Sequence, residues 1–352
     1  MGRGDGQAQV RNVPPLLSQF TIHHSSLTID QLKPARPNIF PDHEPLPPER
    51  DRSGIEIHDE RFKALIEPSA ELKRLWRGAE WSEGAVYLPH EDVVVWSDIP
   101  NNRMLQYDPK SGATNVFREP SHFTNGNTTD LQGRLVTATH LRHCISRVER
   151  DGSLSILVDR YQGKRLNSPN DVVVKSDGTI WFTDPPYGIL SNREGEQRDS
   201  ELDGNFVYRF DPATESLTIA IDSLDRPNGL AFSPDETRLY VSDTGEPSAM
   251  YAFEVADNGE SVDSQREFIV LSPGVSDGFR CDVLGNVWTS SGDGIQCYSP
   301  EAELLGKIRV PEARCANCCF GDADGKTLYI AGDTSLYSIR LAIAGATANR
   351  PS

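Results

Sequence analysis

Six segments of this chain repeat one pattern at intervals of about 40 to 60 residues. In each segment an oxygen-bearing side chain is followed, about fifteen positions later, by a short apolar strand that ends in a small or polar residue. A strand repeat of this period is typical of a propeller or a solenoid, because one unit cannot bury its apolar face alone. Six units predict an all-β fold, a six-bladed β-propeller, whose equivalent positions form a ring around one axis. The oxygen-bearing residues are Glu83, Asn125, Asn170, Asn228, Asp277 and Asn317.

Side chains at these six positions would face a common channel, so the repeat also predicts an oxygen-lined cation site. Runs such as Val93-Val94-Val95-Trp96 and Leu239-Tyr240-Val241 carry the β-branched and aromatic residues that favour strands. Turn signals such as Asp151-Gly152 and Ser233-Pro234-Asp235 lie between the runs. The aspartates of these turns are interpreted as structural.

The predicted propeller occupies residues 55–345, between a proline-rich N-terminal arm (1–54) and a short tail (346–352). The first 50 residues hold 8 of the 24 prolines and show little alternation, which is typical of a flexible or surface-wrapped extension. An oligomer contact through this arm is the alternative. A short helix is expected near residues 59–66. The final repeat shows only three strands, so we expect residues 71–76 to supply the outermost strand of the last blade and close the ring.

Charge and composition exclude several classes of function. A formal net charge of -17 argues against nucleic acid and anionic membranes as partners, since both require a basic surface. The chain has no run of about 18 apolar residues, and its first six residues lack the apolar core of a secretory signal, so we expect a cytoplasmic protein. Six cysteines are too few for a disulfide scaffold. The cluster Cys315, Cys318 and Cys319 is interpreted as buried thiols, with a zinc site as the less favoured alternative.

Seven local motifs occur in order at the spacing of the blades, and together they carry a family resemblance. The motifs are Trp81-Ser82-Glu83-Gly84, Trp96-Ser97-Asp98-Ile99-Pro100-Asn101-Asn102-Arg103, Asn125-Gly126-Asn127-Thr128, Ser168-Pro169-Asn170-Asp171-Val172, Trp181-Phe182-Thr183-Asp184-Pro185-Pro186-Tyr187-Gly188, Pro227-Asn228-Gly229-Leu230 and Ser276-Asp277-Gly278-Phe279. Over residues 56–342 the chain resembles the gluconolactonase and regucalcin (senescence marker protein) family, whose relatives include squid-type diisopropyl fluorophosphatase.

The resemblance implies a six-bladed propeller with one catalytic divalent cation in the central channel. Carried over motif by motif, the implied ligands are Glu83, Asn170, Asn228 and Asp277, all members of the ring inferred from the repeat. Carboxylate and amide oxygens are hard donors, so Ca²⁺ is favoured, with Mg²⁺, Mn²⁺ and Zn²⁺ as alternatives. The chain departs from the family pattern at Ala85, where proline is usual, and at Thr139-His140, where many gluconolactonase-like chains carry Glu-His.

The resemblance therefore implies metal-assisted hydrolysis of a lactone, most simply one derived from a sugar. Asp277 is the candidate general base, with a hydroxide held by the cation as the alternative, and Glu83 is the second catalytic carboxylate. Four further residues are expected to orient the hydroxyl groups of the substrate: Asn125, Asn127, His140 and Asn317. A purely structural role for His140 is the alternative. Two rival functions are hydrolysis of organophosphate esters at the same cation and a non-catalytic, calcium-binding propeller.

Overall fold

The computed structural model describes residues 54–346 as six antiparallel sheets, here called blades I to VI, around a central channel. The first strands of successive blades contact one another in a closed cycle, so each lies next to the axis. Blades I to III contain β3 (Ser82–Leu88), β4 (Val93–Asp98), β5 (Arg103–Asp108) and β6 (Ala113–Arg118); β7 (Thr124–Thr129), β8 (Leu135–Thr139), β9 (Cys144–Val148) and β10 (Leu154–Val158); and β13 (Val172–Val174), β14 (Ile180–Asp184), β15 (Phe206–Asp211) and β16 (Ser216–Ile221).

The remaining blades follow the same plan, and the N-terminal strands join the last two. Blades IV to VI contain β17 (Pro227–Phe232), β18 (Arg238–Asp243), β19 (Ala249–Val255) and β20 (Val262–Ile269); β21 (Phe279–Cys281), β22 (Val287–Ser291), β23 (Gly294–Tyr298), β24 (Leu304–Arg309) and β1 (Gly54–Ile57); and β25 (Cys315–Gly321), β26 (Thr327–Gly332), β27 (Ser335–Arg340) and β2 (Lys73–Arg77). Outside the blades lie the hairpin β11 (Arg160–Tyr161) and β12 (Lys164–Arg165), a 3₁₀ helix (Glu60–Ala64) and α1 (Tyr187–Leu190). The prediction of an all-β, six-bladed propeller is confirmed.

The ring closes as the sequence predicts, and a second N-terminal strand covers the edge of another blade. Strand β2 pairs antiparallel with β27, opposing Trp76 to Leu336, so the outermost strand of the last blade comes from the N-terminal side, as predicted. Strand β1, which the sequence analysis did not identify, pairs with β24 and widens blade V to five strands. The predicted short helix is the 3₁₀ helix between them, and Asp59 caps it by accepting a hydrogen bond from the Arg61 amide. Residues 54–77 therefore protect two sheet edges.

Aromatic residues of the second strands bind neighbouring blades together. Trp181 of blade III packs edge-on against Phe232 of blade IV, with ring centroids 5.4 Å apart. Trp288 of blade V meets Phe320 of blade VI in the same way at 6.2 Å. These tryptophans and Trp96 are fully buried. Since truncating a buried Trp to Ala typically costs about 3–5 kcal/mol, these contacts hold the blades in fixed positions around the channel.

Two other sequence predictions can be compared with the described residues. All six cysteines are free and buried, and burial raises the pKa of Cys318 to about 12, as expected for inert thiols rather than zinc ligands. No helix within residues 54–346 is long and apolar enough to cross a membrane. The arm and the tail lie outside the described residues except for Gly54 and Ala346, and the cytoplasmic location stays a prediction.

Candidate metal centre

The six ring residues occupy equivalent places at the starts of the inner strands. In blades I, II, IV and VI the register between first and second strands shifts at or next to the ring residue. In blades III and V the pairing begins only at Val172 and Phe279, two residues after Asn170 and Asp277. Such irregularities re-aim side chains that would otherwise follow the pleat. The strand starts can therefore direct their side chains toward the axis.

Five of the ring residues line one small cavity at this end of the channel: Glu83, Asn125, Asn170, Asn228 and Asp277. Its volume is about 20 Å³, enough for one water-sized species. Glu83 and the three asparagines are each at most 6% exposed, whereas Asp277 retains some accessible surface. The structure thus brings all four implied metal ligands together, with Asn125 beside them.

The carboxyl groups of Glu83 and Asp277 lie close enough to share a hydrogen bond. Burial, and then the nearby charge of Asp277, hold the pKa of Glu83 well above its usual range. Burial likewise raises the pKa of Asp277 to about 7. Two buried carboxylates at hydrogen-bonding distance cannot both ionise at little cost unless a cation lies between them. This electrostatic demand fits a divalent ion.

Amide oxygens are indispensable to any metal centre here. Among residues 54–346, no group of three or more His, Cys, Asp or Glu side chains could hold a metal ion. The cavity instead combines the carboxylate pair Glu83 and Asp277, with Glu194 at its wall, and the amide groups of Asn125, Asn170 and Asn228. An all-oxygen donor set of this kind suits hard cations such as Ca²⁺ or Mg²⁺. The donor chemistry therefore agrees with the ligands that the family resemblance implies.

Hydroxyl groups at the ends of the second strands lock the ring residues in place. Ser97 donates to the Asn125 carbonyl at 2.7 Å, and Thr183 donates to that of Asn228, also at 2.7 Å. Ser242 does the same to Asp277 at 2.9 Å. Each of these bonds runs from one blade to the ring residue of the next. In blades I, III and IV the polar residue near the end of the apolar run therefore couples neighbouring ring positions.

The aspartate that follows each of these hydroxyl residues fixes the loop leading to the ring. Asp184 accepts hydrogen bonds from the Asn167 and Ser168 amides, both at 2.8 Å, just before Asn170. Asp98 receives the Glu80 amide at 2.9 Å in blade I, and Asp243 receives the Arg226 amide at 2.7 Å in blade IV. These contacts repeat in blades I, III and IV; Asp98 and Asp184 belong to the quoted motifs, but their sequence context alone did not indicate this role.

His140 lies behind Asn125, outside the residues that line the cavity. Its Nδ1 is 2.9 Å from the Glu194 carbonyl, which can only accept, so Nδ1 carries the proton. Burial lowers the pKa of His140 to about 4, and the neutral ring therefore accepts from Asn125 Nδ2 through Nε2 at 3.2 Å. This leaves Asn125 Oδ1 as the amide atom for the cavity. Both ring nitrogens are engaged, which fits the structural alternative, while a contact between His140 and substrate stays a prediction.

The two remaining predicted substrate residues lie outside the lining of the small cavity. Asn317 donates to Glu83 Oε2 at 3.2 Å, beside the Gly84 amide, which donates to the same oxygen at 2.7 Å. Asn127 donates to the Gly84 carbonyl at 2.7 Å and lines a larger cavity of about 830 Å³ at the opposite end of the channel. In this geometry both side chains support the inner strands, and their contact with substrate stays a prediction.

Several residues that sequence analysis did not assign to the site also surround the cavity. Trp81, Ile99 and Tyr187 form apolar walls, and Glu194 adds a third carboxylate from the loop after α1. Trp81 and Tyr187 fall within the quoted motifs, so their positions in the repeat could have indicated them. Glu194 belongs to no motif, and nothing in the sequence pattern marks it.

The comparisons with known proteins identify the family to which this fold belongs. Residues 81–334 match the family model described as SMP-30/Gluconolactonase/LRE-like region. The chain belongs to this family. It is 32% identical over 304 residues to a gluconolactonase of Zymomonas mobilis, covering 80% of this chain and 84% of the relative. It is 27% identical over 256 residues to the pentonolactonase XacC of Haloferax volcanii, covering 70% and 80%. A solved gluconolactonase of Xanthomonas campestris superposes with a TM-score of 0.78 at 40% identity, covering 82% and 94%.

Proposed function

We propose that the protein is a divalent-metal-dependent hydrolase that opens a sugar-derived lactone. The observation that carries the proposal is the buried pair of Glu83 and Asp277, which share a one-water cavity with three asparagine side chains. Relatives named gluconolactonase and pentonolactonase, one of them 32% identical, support lactones as the substrate class. The match covers 84% of the first of these relatives and 80% of this chain.

The cation would be held by Glu83, Asn170, Asn228 and Asp277, with Ca²⁺ favoured by the all-oxygen donor set. When bound, it supplies Lewis-acid polarisation of the lactone carbonyl and offsets negative charge in the transition state. The backbone positions of Asn125, Asn228 and Asp277 are fixed before substrate arrives, because their carbonyls already accept hydrogen bonds from neighbouring blades. Asn317 and the Gly84 amide hold Glu83 in place as a ligand.

Asp277 is the carboxylate best placed to take a proton from the attacking water. It keeps some accessible surface, whereas Glu83 is 4% exposed and has two donors on one oxygen. As the water oxygen bonds to the carbonyl carbon, its proton passes to Asp277. The ring C–O bond then breaks, and the proton passes on to the departing alkoxide. The product is an open-chain hydroxy acid, and Asp277 is regenerated.

The test is a pH-stat assay of acid release from purified protein with glucono-1,5-lactone, an aliphatic lactone, an aryl ester and an organophosphate ester. Each substrate is measured before chelation, after chelation, and after separate addition of Ca²⁺, Mg²⁺, Mn²⁺ and Zn²⁺. We expect lactone opening that chelation abolishes and one of these cations restores. Glu83→Gln should lose both activity and bound metal, while the matched control Asp203→Asn, whose side chain is 93% exposed, should keep both. Full lactone hydrolysis after rigorous metal removal would refute the proposal.

A further inference from the structure

Three consecutive residues of the loop after α1 are fastened to three different blades. We call residues 191–198 the strap. Arg193 pairs with Glu80 at 2.8 Å, in the segment that leads into blade I. The Glu194 carbonyl accepts the hydrogen bond from His140 at the end of blade II. Gly195 packs on α1 of blade III so closely that a Cβ atom there would lie 2.0 Å from the Gly188 carbonyl oxygen.

These three anchors fix the direction of the Glu194 side chain. Residues 193 and 195 are held by Glu80 and α1 and the 194 carbonyl by His140, and the Glu194 carboxylate lies near enough to Asp277 for its charge to act on that residue. It lines the cavity together with Glu83 and Asp277. Its backbone is held from both sides, since the Glu196 amide also donates to the Gly188 carbonyl at 3.0 Å. Glu194 is therefore part of the site wall rather than a surface residue that happens to lie near it.

The Glu194 carboxylate has unused hydrogen-bonding capacity. Among residues 54–346 no side chain or amide donates to it, although a carboxylate can accept about four hydrogen bonds. Burial raises its pKa, and the neighbouring charges of Arg193 and Arg314 act in the opposite direction. The residue keeps some accessible surface in the cavity wall, so a bound ligand can reach the carboxylate and supply the missing donors. A lactone bound beside the carboxyl pair would bring its ring substituents to this position.

We propose that Glu194 is a specificity-determining residue whose carboxylate accepts hydrogen bonds from ring hydroxyls of a polyhydroxylated lactone. The proposal rests on the proposed function and narrows it to hydroxylated substrates. A site built to bind a hydroxyl group discriminates against the analogue that lacks it, because a bound analogue would cover the acceptor and leave it unpaired. Glu194 thus separates sugar lactones from aliphatic lactones, whereas the carboxyl pair acts on the ester group that both contain.

The experiment compares Glu194→Ala and Glu194→Gln with wild type on two six-membered lactones, glucono-1,5-lactone and δ-valerolactone, which differ in their hydroxyl groups. Hydrogen bonds to charged groups contribute enough that Glu194→Ala should lower kcat/KM for gluconolactone about ten- to a hundredfold, mainly through KM. The kcat/KM of Glu194→Gln for gluconolactone should lie between those of wild type and Glu194→Ala, since glutamine keeps one acceptor oxygen. Activity of both variants on δ-valerolactone should stay within about twofold of wild type.

The matched control is Glu196→Ala, on the same strap, whose exposed side chain does not line the cavity. It should behave as wild type on both lactones. Bound metal is measured for every variant, and a loss of metal in Glu194→Ala would show a ligand instead of a specificity residue. Equal losses on the two lactones, or no loss on either, would overturn the role of Glu194 alone. Failure of the wild type to open either lactone would overturn the proposed function, and this inference with it.

Discussion

Replacing a proposed catalytic residue should stabilise this protein when no metal is bound. Burial raises the pKa of Asp277 from 3.8 to about 7. The charged form of this carboxylate, beside Glu83, therefore destabilises the metal-free fold. A carboxyl whose folded-state pKa is raised contributes stability below pH 4 that is lost as pH rises through 7. The difference between the folded and unfolded pKa values of Asp277 corresponds to at most about 4 kcal/mol in the free energy of unfolding. Asp277→Asn removes this cost because asparagine does not ionise.

The measurement is thermal unfolding of wild type and Asp277→Asn at pH 5 and pH 8, with chelator and with a restoring cation. At about 2–4 °C per kcal/mol, the metal-free variant should unfold several degrees above wild type at pH 8, with a much smaller gain at pH 5. With the cation present, wild type should unfold at a higher temperature than Asp277→Asn, since it gains binding free energy that the variant has lost. Asp203→Asn controls for removal of one negative charge. A metal-free variant that is no more stable than wild type at pH 8 would refute the electrostatic reasoning.

Three further predictions concern other parts of the molecule. Asn170→Ala and Asn228→Ala should each lower lactone turnover by more than about tenfold in a pH-stat assay, because displacing the proposed cation by about one ångström can lower the rate about a hundredfold. Wild-type rates in both variants would exclude the two residues as ligands. Deleting residues 1–50 should leave the melting temperature and activity unchanged, whereas deleting residues 1–78 exposes two sheet edges and should cause aggregation or a large fall in melting temperature. Equal melting temperatures of the two truncated proteins would contradict closure of the ring by β1 and β2. Because burial lowers the pKa of His140 from 6.5 to about 4, its contribution to stability is present above pH 6.5 and lost as pH falls toward 4. His140→Gln should therefore flatten the plot of unfolding free energy against pH between pH 4 and 6.5, and an unchanged slope would show that the imidazole is not held neutral.

The ring of oxygen-bearing residues could be predicted because its signal is repeated. Six oxygen-bearing side chains at blade spacing fix one another's place, and the motifs around Asn170 and Asp277 add the family resemblance. Strand β1 could not be found in this way. It is four residues long, and its pairing with β24 depends on contacts about 250 residues away, which no local pattern records.

The roles of single side chains were harder to predict than their neighbourhood. The sequence places His140 in the repeat that contains Asn125, but whether it meets substrate or orients Asn125 depends on which ring nitrogen carries the proton, and tertiary contacts decide that. Glu194 was missed altogether. Its direction comes from anchors on three blades, and a loop sequence does not encode such anchors in any periodic form.

The pairing of β1 and β2 with the last two blades sets an order for folding. The first strands of the propeller to leave the ribosome must wait for partners about 260 residues further along the chain, so ring closure follows synthesis of blade VI. Glu83 in blade I and Asp277 in blade V lie on either side of that late blade. The two carboxylates can meet only once it is in place. The proposed cation, if held by both carboxylates, would be bound by the closed ring alone, and its binding would report that folding is complete.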